Sequence, residues 1–399
     1  MVRLDSIPAS RPMPLIPVNR WKGRTMTTGS SVSPLAADTS RRRLLAAAAG
    51  VTAGTAALAA PPTAARAATS TSAGTATGRP GRRMKVIAVE EAFSVPELIP
   101  WPGEAQMPPG WGQEWGRRLA DFTESRLADM DEHGVDMQVL SLTSPGVEAI
   151  KDPSEAVATA RRVNDHLADV VAAHPTRFAG FATLPFQNPK AAVAELRRAV
   201  EQLGLKGVLH NDHVLGHYLD EPQFRPVWAE LERLGVTLYI HPALFPADQW
   251  RVFQGYPVLS GPSWGWTAQV GAHALRLIYG GVFDEFPRAS VTLGHMGELL
   301  PFQLARLDSR YHQADPKSRP RQLPSHYLRH NLYATTSGVF SHAALLGAVQ
   351  AIGADRLLFA VDYPYESTAE AVEFLRTAPF SRADLKRIAH RNAAHLLNL

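Results

Sequence analysis

The sequence predicts a single (β/α)8 TIM barrel over residues 85–399, with long βα loops after strands one and five that form a lid. Eight β-rich runs alternate with segments whose apolar residues recur every three to four positions, the period of a helix. The runs are nearly continuous in apolar residues, which is typical of parallel strands covered by helices on both faces. The eight runs are 85–91, 137–143, 178–185, 207–212, 237–242, 290–297, 332–337 and 357–364.

The segments between the runs support the same alternation. Three of them place apolar residues at helical spacing, at Ala160, Val163, Leu167, Val170 and Val171, at Val193, Leu196, Val200 and Leu203, and at Phe224, Val227, Trp228, Leu231 and Leu234. Eight such units between residues 85 and 399 fit one barrel. The alternative is a doubly wound open sheet, whose nucleotide-binding form is disfavoured because no glycine-rich phosphate loop follows the first run.

Two connections are longer than a minimal barrel needs. Residues 94–121 follow the first run and residues 243–265 follow the fifth, and both are rich in aromatic residues, including Trp101, Trp115 and Trp264. Loops after barrel strands lie on the face that carries the active site, where they can cover a pocket. Surface decoration is the simpler alternative, but the aromatic content favours a lid or a subunit contact.

The N-terminal region has a different composition. Residues 1–67 are predicted to be a twin-arginine-type export signal, because Arg41-Arg42-Arg43 precedes a weakly apolar stretch and an Ala65-Arg66-Ala67 cleavage pattern. Residues 68–84 are predicted to be a flexible linker. A disordered tail or a membrane anchor is the alternative, but an anchor needs about 20 strongly apolar residues. We therefore expect periplasmic or extracellular localisation and no stable membrane insertion of the mature chain.

Composition narrows the chemistry. The chain of 399 residues has no cysteine and a formal net charge of only +4. Disulfides, iron–sulfur clusters and thiolate zinc sites are excluded, so any bound metal must take histidine and carboxylate ligands. The small charge, part of which lies in the N-terminal arginines, argues against a nucleic-acid partner.

Polar residues gather where the predicted strands end. Such ends converge on one site in a barrel, and here they carry Glu90 and Glu91, His210-Asn211-Asp212, His241, His295 with Glu298, and Asp362. Glu90, His241 and Asp362 together offer one imidazole and two carboxylates. This set suits one divalent ion, Zn, Mn or Mg, with open positions for water or substrate.

Each of these residues also has a purely structural interpretation. His241 could pack or cap, Asp362 could initiate a turn before Tyr363-Pro364, and Glu298 could favour the first turn of a following helix. Glu91 is expected to point away from Glu90, because successive strand residues alternate faces, and to pair with an arginine. The metal interpretation is favoured because four separate strands place such groups at the same end.

Several longer motifs point to a family. The segments VEEAF (89–93), FATLPFQNP (181–189), HPALFP (241–246), GPSWGW (261–266), TTSG (335–338) and IGADRLLFAVDYPYE (352–366) are similar to those of amidohydrolase-related decarboxylases acting on hydroxybenzoates. The resemblance covers about Lys85 to Leu399. It implies that Glu90, His241 and Asp362 bind the metal, that His295 and Glu298 form a pair beside the substrate, and that Arg306 helps to hold the substrate.

One position departs from the family pattern. Many relatives carry a histidine two residues after the first ligand, where this sequence has Ala92. Some 2,3-dihydroxybenzoate and salicylate decarboxylases similarly carry alanine there, so the resemblance still implies an active site. It also implies a homodimer or homotetramer.

The sequence-based hypothesis is therefore a metal-dependent, non-oxidative decarboxylase of an ortho-hydroxylated aromatic carboxylic acid. Asp362 is the candidate proton donor to the ring carbon, and His295, oriented by Glu298, the candidate proton shuttle. Asn211 and Trp264 are further candidates for binding the substrate. The alternatives are a mononuclear metal-dependent hydrolase of an amide or lactone, with His295 as base, and a non-catalytic secreted binding protein whose site has decayed at Ala92.

Overall fold

The structure is a computed structural model that describes residues 83–101, 110–243, 251–316 and 319–399. The predicted signal region and the predicted linker up to residue 82 lie outside the described residues. The last two residues of that linker belong to the folded unit. Arg83 pairs with Asp136, and Met84 packs against the hydrophobic core. The folded unit therefore begins slightly earlier than predicted.

Eight strands lie at the predicted places. All of the ladders between them are parallel, and the hydrogen-bonded order follows the sequence, in one group from β1 to β3 and another from β4 to β8. The strands are β1 (Ile87–Phe93), β2 (Met137–Leu142), β3 (Phe178–Gly180), β4 (Gly207–Asn211), β5 (Thr237–His241), β6 (Val291–Leu293), β7 (Leu332–Thr335) and β8 (Leu357–Leu358).

Main-chain hydrogen bonds connect the two groups of strands at both of their edges. Just beyond β3, Ala182 forms an isolated parallel bridge with Val208 of β4. At the other edge, Val89 N of β1 donates to Phe359 O (3.1 Å) just after β8. Neighbours that follow the sequence order and return to β1 are the arrangement of a (β/α)8 barrel, whereas the order reverses at a switch point in a doubly wound sheet. The barrel prediction is confirmed.

Helices follow the strands, and several of them begin at a side chain that caps the helix. Asp152 accepts a hydrogen bond from Glu155 N, Asn188 from Ala191 N, and Ser367 from Glu370 N. The helices are α1 (Trp111–Ala120), α2 (Glu124–His133), α3 (Pro153–Ala173), α4 (Pro189–Arg197), α5 (Arg225–Leu234), α6 (Gly265–Tyr279), α7 (Val282–Glu285), α8 (Leu304–Arg310), α9 (Pro324–His330), α10 (His342–Ile352), α11 (Thr368–Thr377), α12 (Arg382–Lys386) and α13 (Asn392–Leu397). None of the described helices is both long and apolar enough to cross a lipid bilayer.

The strands bury both of their faces, as the apolar runs predicted. Alternate residues such as Val89, Leu209 and Tyr239 pack into one cluster, which Ala393 and Leu397 of α13 join. The residues of opposite parity pack in a larger cluster with the helices. The apolar residues of this alternation fill the interior of the barrel. The polar residues lie at the end of the barrel where the strands have their C-termini.

Three strands are markedly shorter than predicted. β6 ends at Leu293 rather than residue 297, and the ladder of β8 covers only Leu357–Leu358 of the predicted 357–364. The predicted third run also exceeds its ladder, which ends at Gly180. In all three places the chain leaves the ladder before the strand-end residues, and separate contacts hold these residues in place.

The first predicted lid loop lies beside the strand ends. It contains α1, and Trp115 of this helix contacts Tyr365 edge to face, with ring centroids 5.2 Å apart. Tyr365 OH in turn shares a hydrogen bond of 2.6 Å with Thr143, just after β2. Residues 244–250 of the second loop lie outside the described residues, and α6 follows directly after Trp264.

Candidate metal centre

Three predicted ligands converge, one within β1, one at the end of β5 and one in the segment after β8. Glu90, His241 and Asp362 each offer a ligand atom, and these atoms all lie within 4.8 Å of one another. The three residues are at most 9% exposed. They line one small cavity together with Ala92, Ser141, Leu142, Thr143 and Leu209. The predicted convergence is confirmed.

The orientation of His241 suits a ligand. Its Nδ1–H donates to the carbonyl of Pro242 (3.1 Å), and its Nε2 lies 3.8 Å from Glu90 Oε1. A histidine whose Nδ1 is bound to a carbonyl keeps the lone pair of Nε2 free for a metal. The Pro242 carbonyl thus fixes the ring and its tautomer.

Glu90 is held by hydroxyl groups from β7. Thr335 Oγ1 donates to Glu90 Oε2 (2.7 Å), and Ser337 Oγ donates to the same oxygen. Burial raises the pKa of Glu90; nearby His295 lowers it, and Asp362 raises it further. Because both hydroxyl groups bind Oε2, the other oxygen, Oε1, remains free to face the cavity.

The two carboxylates fit a cation. Glu90 Oε1 and Asp362 Oδ1 are buried and have no hydrogen-bond partner within the described part of the chain. Buried acceptors without donors are costly, and two such carboxylates side by side repel each other. A divalent cation between them and His241 would satisfy both atoms, and this donor set of oxygen and nitrogen suits Zn or Mn.

His295 and Glu298 form the predicted pair. The Nδ1–H of His295 donates to Glu298 Oε1 (2.7 Å), and His295 Nε2 lies 3.6 Å from both Glu90 Oε1 and Asp362 Oδ2. Burial opposes charge on this ring, but the surrounding carboxylates outweigh it and raise the pKa of His295 well above its usual value.

The pair lies on a left-handed turn. Residues 295–299 all have positive φ, with values of 49°, 60°, 76°, 51° and 63° in chain order. This corrects the alternative that Glu298 lies in the first turn of an ordinary helix. Left-handed residues other than glycine cost about 1–2 kcal/mol each, so the surrounding structure must hold them. Ser337 Oγ does so by accepting a hydrogen bond from His295 N (3.1 Å).

Replacing Gly297 by alanine is expected to destabilise this turn. The added Cβ would lie 3.1 Å from Ala334 Cβ and from the ring of Pro301, at a φ of +76°. We expect the free energy of unfolding in denaturant to fall by about 2–4 kcal/mol, from backbone strain and overpacking together. Gly204→Ala is the control, because φ there is +72° and nothing lies within 4 Å of its added Cβ. Equal losses in the two variants would contradict the packing argument.

The remaining predicted site residues lie in different environments. Asn211 is buried at the end of β4, in register with His241. Trp264 is half exposed before α6, and Arg306 is exposed on α8. The substrate-binding roles of all three residues stay predictions.

Sequence reasoning missed several residues that support the site. Thr335 and Ser337 orient Glu90, and Thr143 binds Tyr365, yet strand-end reasoning had considered only charged, histidine and amide side chains. Glu148 is a further case, because its Oε1 accepts hydrogen bonds from Asn211 N (2.9 Å) and His210 Nδ1 (3.1 Å). The TTSG segment (335–338), which contains Thr335 and Ser337, was the sequence feature from which these two residues could have been found.

Comparison with known proteins identifies the family. The sequence profile of the amidohydrolase family matches residues 93–399. The chain belongs to the amidohydrolase family. The chain is 40% identical over 323 residues to the gamma-resorcylate decarboxylase of Rhizobium sp., and the match covers 78% of this chain and 98% of the relative.

Solved structures agree with this assignment. The structure of a 2,6-dihydroxybenzoate decarboxylase complexed with 2,6-dihydroxybenzoate matches this chain with a TM-score of 0.75 and 39% identity. The match covers 79% of this chain and 100% of the decarboxylase chain. A dihydroxybenzoic acid decarboxylase from Polaromonas sp., with bound manganese and the inhibitor 2-nitroresorcinol, matches with a TM-score of 0.76 and 39% identity, over 79% and 98%. The resemblance to decarboxylases that the motifs indicated is confirmed.

Proposed function

We propose that this protein is a carboxy-lyase that removes CO2 from an ortho-hydroxylated benzoate with the help of one divalent cation. The observation that carries the proposal is the convergence of Glu90, His241 and Asp362, with free ligand atoms within 4.8 Å of one another, in one cavity of the barrel. Relatives of the same family that decarboxylate dihydroxybenzoates support the choice of reaction.

The cation would be held by Glu90, His241 and Asp362. When bound, it supplies Lewis-acid chemistry, which neutralises the charge of the substrate carboxylate and of the neighbouring phenolate. Manganese is our choice of ion, because a structural relative binds it and because the ligand set contains two hard carboxylates.

Asp362 would supply the proton for the reaction. The bond between the ring carbon and the carboxylate breaks, CO2 leaves, and the electron pair that stays on the ring carbon takes a proton from the carboxyl group of Asp362. His295 would then return a proton to Asp362, since its Nε2 lies 3.6 Å from Asp362 Oδ2. Glu298 would hold His295 in position for this transfer.

Asn211 would accept a hydrogen bond from a ring hydroxyl. Its Nδ2 faces the carbonyl of Leu142 (3.4 Å) and Glu148 Oε2 (3.5 Å), and both of these groups can only accept. The amide must therefore turn its oxygen the other way, and this buried Oδ1 has no partner within the described residues. Arg306 and Trp264 would contact the substrate from the rim, which rests on the sequence prediction alone.

Two other functions were open from the sequence. A hydrolase of amides or lactones is disfavoured because relatives about 40% identical over most of the chain are decarboxylases. A decayed binding protein is disfavoured because the three ligand residues still converge, with Ala92 lining the same cavity.

A substrate panel tests the proposal. We expect CO2 and the corresponding phenol from 2,6-dihydroxybenzoate, 2,3-dihydroxybenzoate or salicylate with Mn²⁺, and none from 4-hydroxybenzoate, which lacks the ortho hydroxyl needed for chelation. Parallel assays with Zn²⁺ and Mg²⁺ identify the preferred ion. If no ortho-hydroxybenzoate releases CO2 with any of the three ions, the proposed function is wrong.

A further inference from the structure

Glu91, the second of the two adjacent glutamates on β1, is completely buried but faces away from the cavity. Its neighbours Glu90 and Ala92 line the cavity, and Glu91 does not. The prediction that it points away from Glu90 agrees with this. The expected arginine is present as the nearby charge of Arg126, but the hydrogen bonds to the two carboxylate oxygens of Glu91 come from main-chain N–H groups.

Those main-chain donors flank Asp362. Val361 N donates to Glu91 Oε1 (3.0 Å), and Tyr363 N donates to Glu91 Oε2 (3.2 Å). Asp362 itself has a φ of +77°, in the left-handed region that is unfavourable for aspartate. The N–H groups on either side of this left-handed residue form a concave site for a carboxylate, and here the carboxylate is a side chain of the same protein.

Contacts around Tyr363 hold the same segment from the other side. Arg126 is fully buried, donates to the carbonyl of Ala92 (2.7 Å), and lies 4.4 Å from the centre of the Tyr363 ring. Arg118 lies at the same distance from that ring. Ala92 N donates to Tyr363 O (2.8 Å). The main chain after β8 is therefore attached to β1 at several points, and Glu91 holds the two that bracket Asp362.

From these contacts we infer that Glu91 is a positioning residue, which fixes the main chain around Asp362 so that this carboxylate reaches the cation and the substrate. The inference deepens the proposed function and rests on it. It also explains why β1 carries two adjacent carboxylates, since Glu90 would bind the cation directly and Glu91 holds the segment after β8 that supplies Asp362.

The test is Glu91→Gln, which keeps the size of the side chain. The carboxylate of Glu91 accepts one hydrogen bond at each of its two oxygens. An amide accepts at one atom only, so its NH2 must oppose Val361 N or Tyr363 N. We expect the dissociation constant for Mn²⁺, measured from free-ion electron paramagnetic resonance, to rise about 10- to 100-fold.

Glu195→Gln is the matched control. Glu195 is an equally buried glutamate on α4 that binds Asn164 and Arg198, away from the metal centre. We expect its variant to lose thermal stability but to bind Mn²⁺ like the wild type. Glu91→Asp keeps both acceptors but withdraws them by one methylene group, and we expect a smaller loss of Mn²⁺ affinity, which provides a second variant if Glu91→Gln does not fold.

The outcomes separate this inference from the proposed function. If the wild type binds Mn²⁺ and a folded Glu91 variant binds it equally well, the positioning role is refuted and the proposed function stands. If the wild type binds none of Mn²⁺, Zn²⁺ and Mg²⁺, both are refuted. Weaker binding in a Glu91 variant, with unchanged binding in Glu195→Gln, supports the positioning role, because a general loss of stability would affect both.

Discussion

Asp362→Asn is expected to abolish CO2 release from ortho-hydroxybenzoates. Asparagine keeps the size of the side chain but cannot give a proton to the ring carbon, and general acid catalysis contributes about 10²- to 10⁴-fold to a rate. Loss of one of two carboxylate ligands weakens cation binding in addition. We therefore expect a fall in kcat of at least about 10³-fold, measured with saturating Mn²⁺ so that the proton transfer and not metal occupancy limits the rate.

Asp212→Asn is the control for this variant. Asp212 is also fully buried beyond the end of a strand and also has a positive φ (53°), but it binds Gln269 and His273 instead of contributing to the cluster. We expect its variant to keep at least about a tenth of the wild-type kcat, since only its hydrogen bonds are weakened. Substantial activity in Asp362→Asn would end the assignment of Asp362 as proton donor.

Removing divalent ions is expected to have two effects, the loss of the reaction and a lower stability of the fold. Without a cation, Glu90 and Asp362 keep buried oxygens that lack partners among the described residues. A ligand present at about 100 times its dissociation constant stabilises the folded state by about 2.7 kcal/mol. We expect chelation to reduce decarboxylation to background, and Mn²⁺ to restore it and to raise the free energy of unfolding by about that amount.

His241→Ala controls for nonspecific effects of the ion. It removes the one imidazole ligand, whose Nε2 lies 3.8 Å from Glu90 Oε1, and leaves the rest of the surface intact. The variant should show no Mn²⁺-dependent gain in stability at concentrations that stabilise the wild type. An equal gain in both proteins would mean that Mn²⁺ binds elsewhere.

The sequence was sufficient to predict the barrel and the three candidate ligands that the structure brings together. A continuous apolar run predicts a strand that is buried on both faces. Carboxylate and imidazole side chains are unusual after such strands, so Glu90, His241 and Asp362 can be recognised as candidate ligands from the sequence. The barrel geometry then makes their convergence a consequence of position along each strand. The predicted signal region, lying outside the described residues, and the predicted homodimer or homotetramer stay predictions.

The supporting contacts could not be predicted in the same way. The turn at 295–299 is left-handed because of contacts such as the hydrogen bond from His295 N to Ser337, which come from a distant part of the chain. Local propensity gives no sign of it, since most of these residues disfavour positive φ. The contacts of Glu91 likewise depend on the main chain beyond β8, and no side-chain pattern records main-chain donors.

The joint between β1 and the segment after β8 has a consequence for biosynthesis. Glu90 and Glu91 emerge from the ribosome well before Asp362 and the N–H groups that bind Glu91. A nascent chain can therefore form most of its secondary structure before all three metal-binding side chains are present. Metal uptake would mark a finished and closed polypeptide, and products truncated before residue 362 would be inert, not partly active.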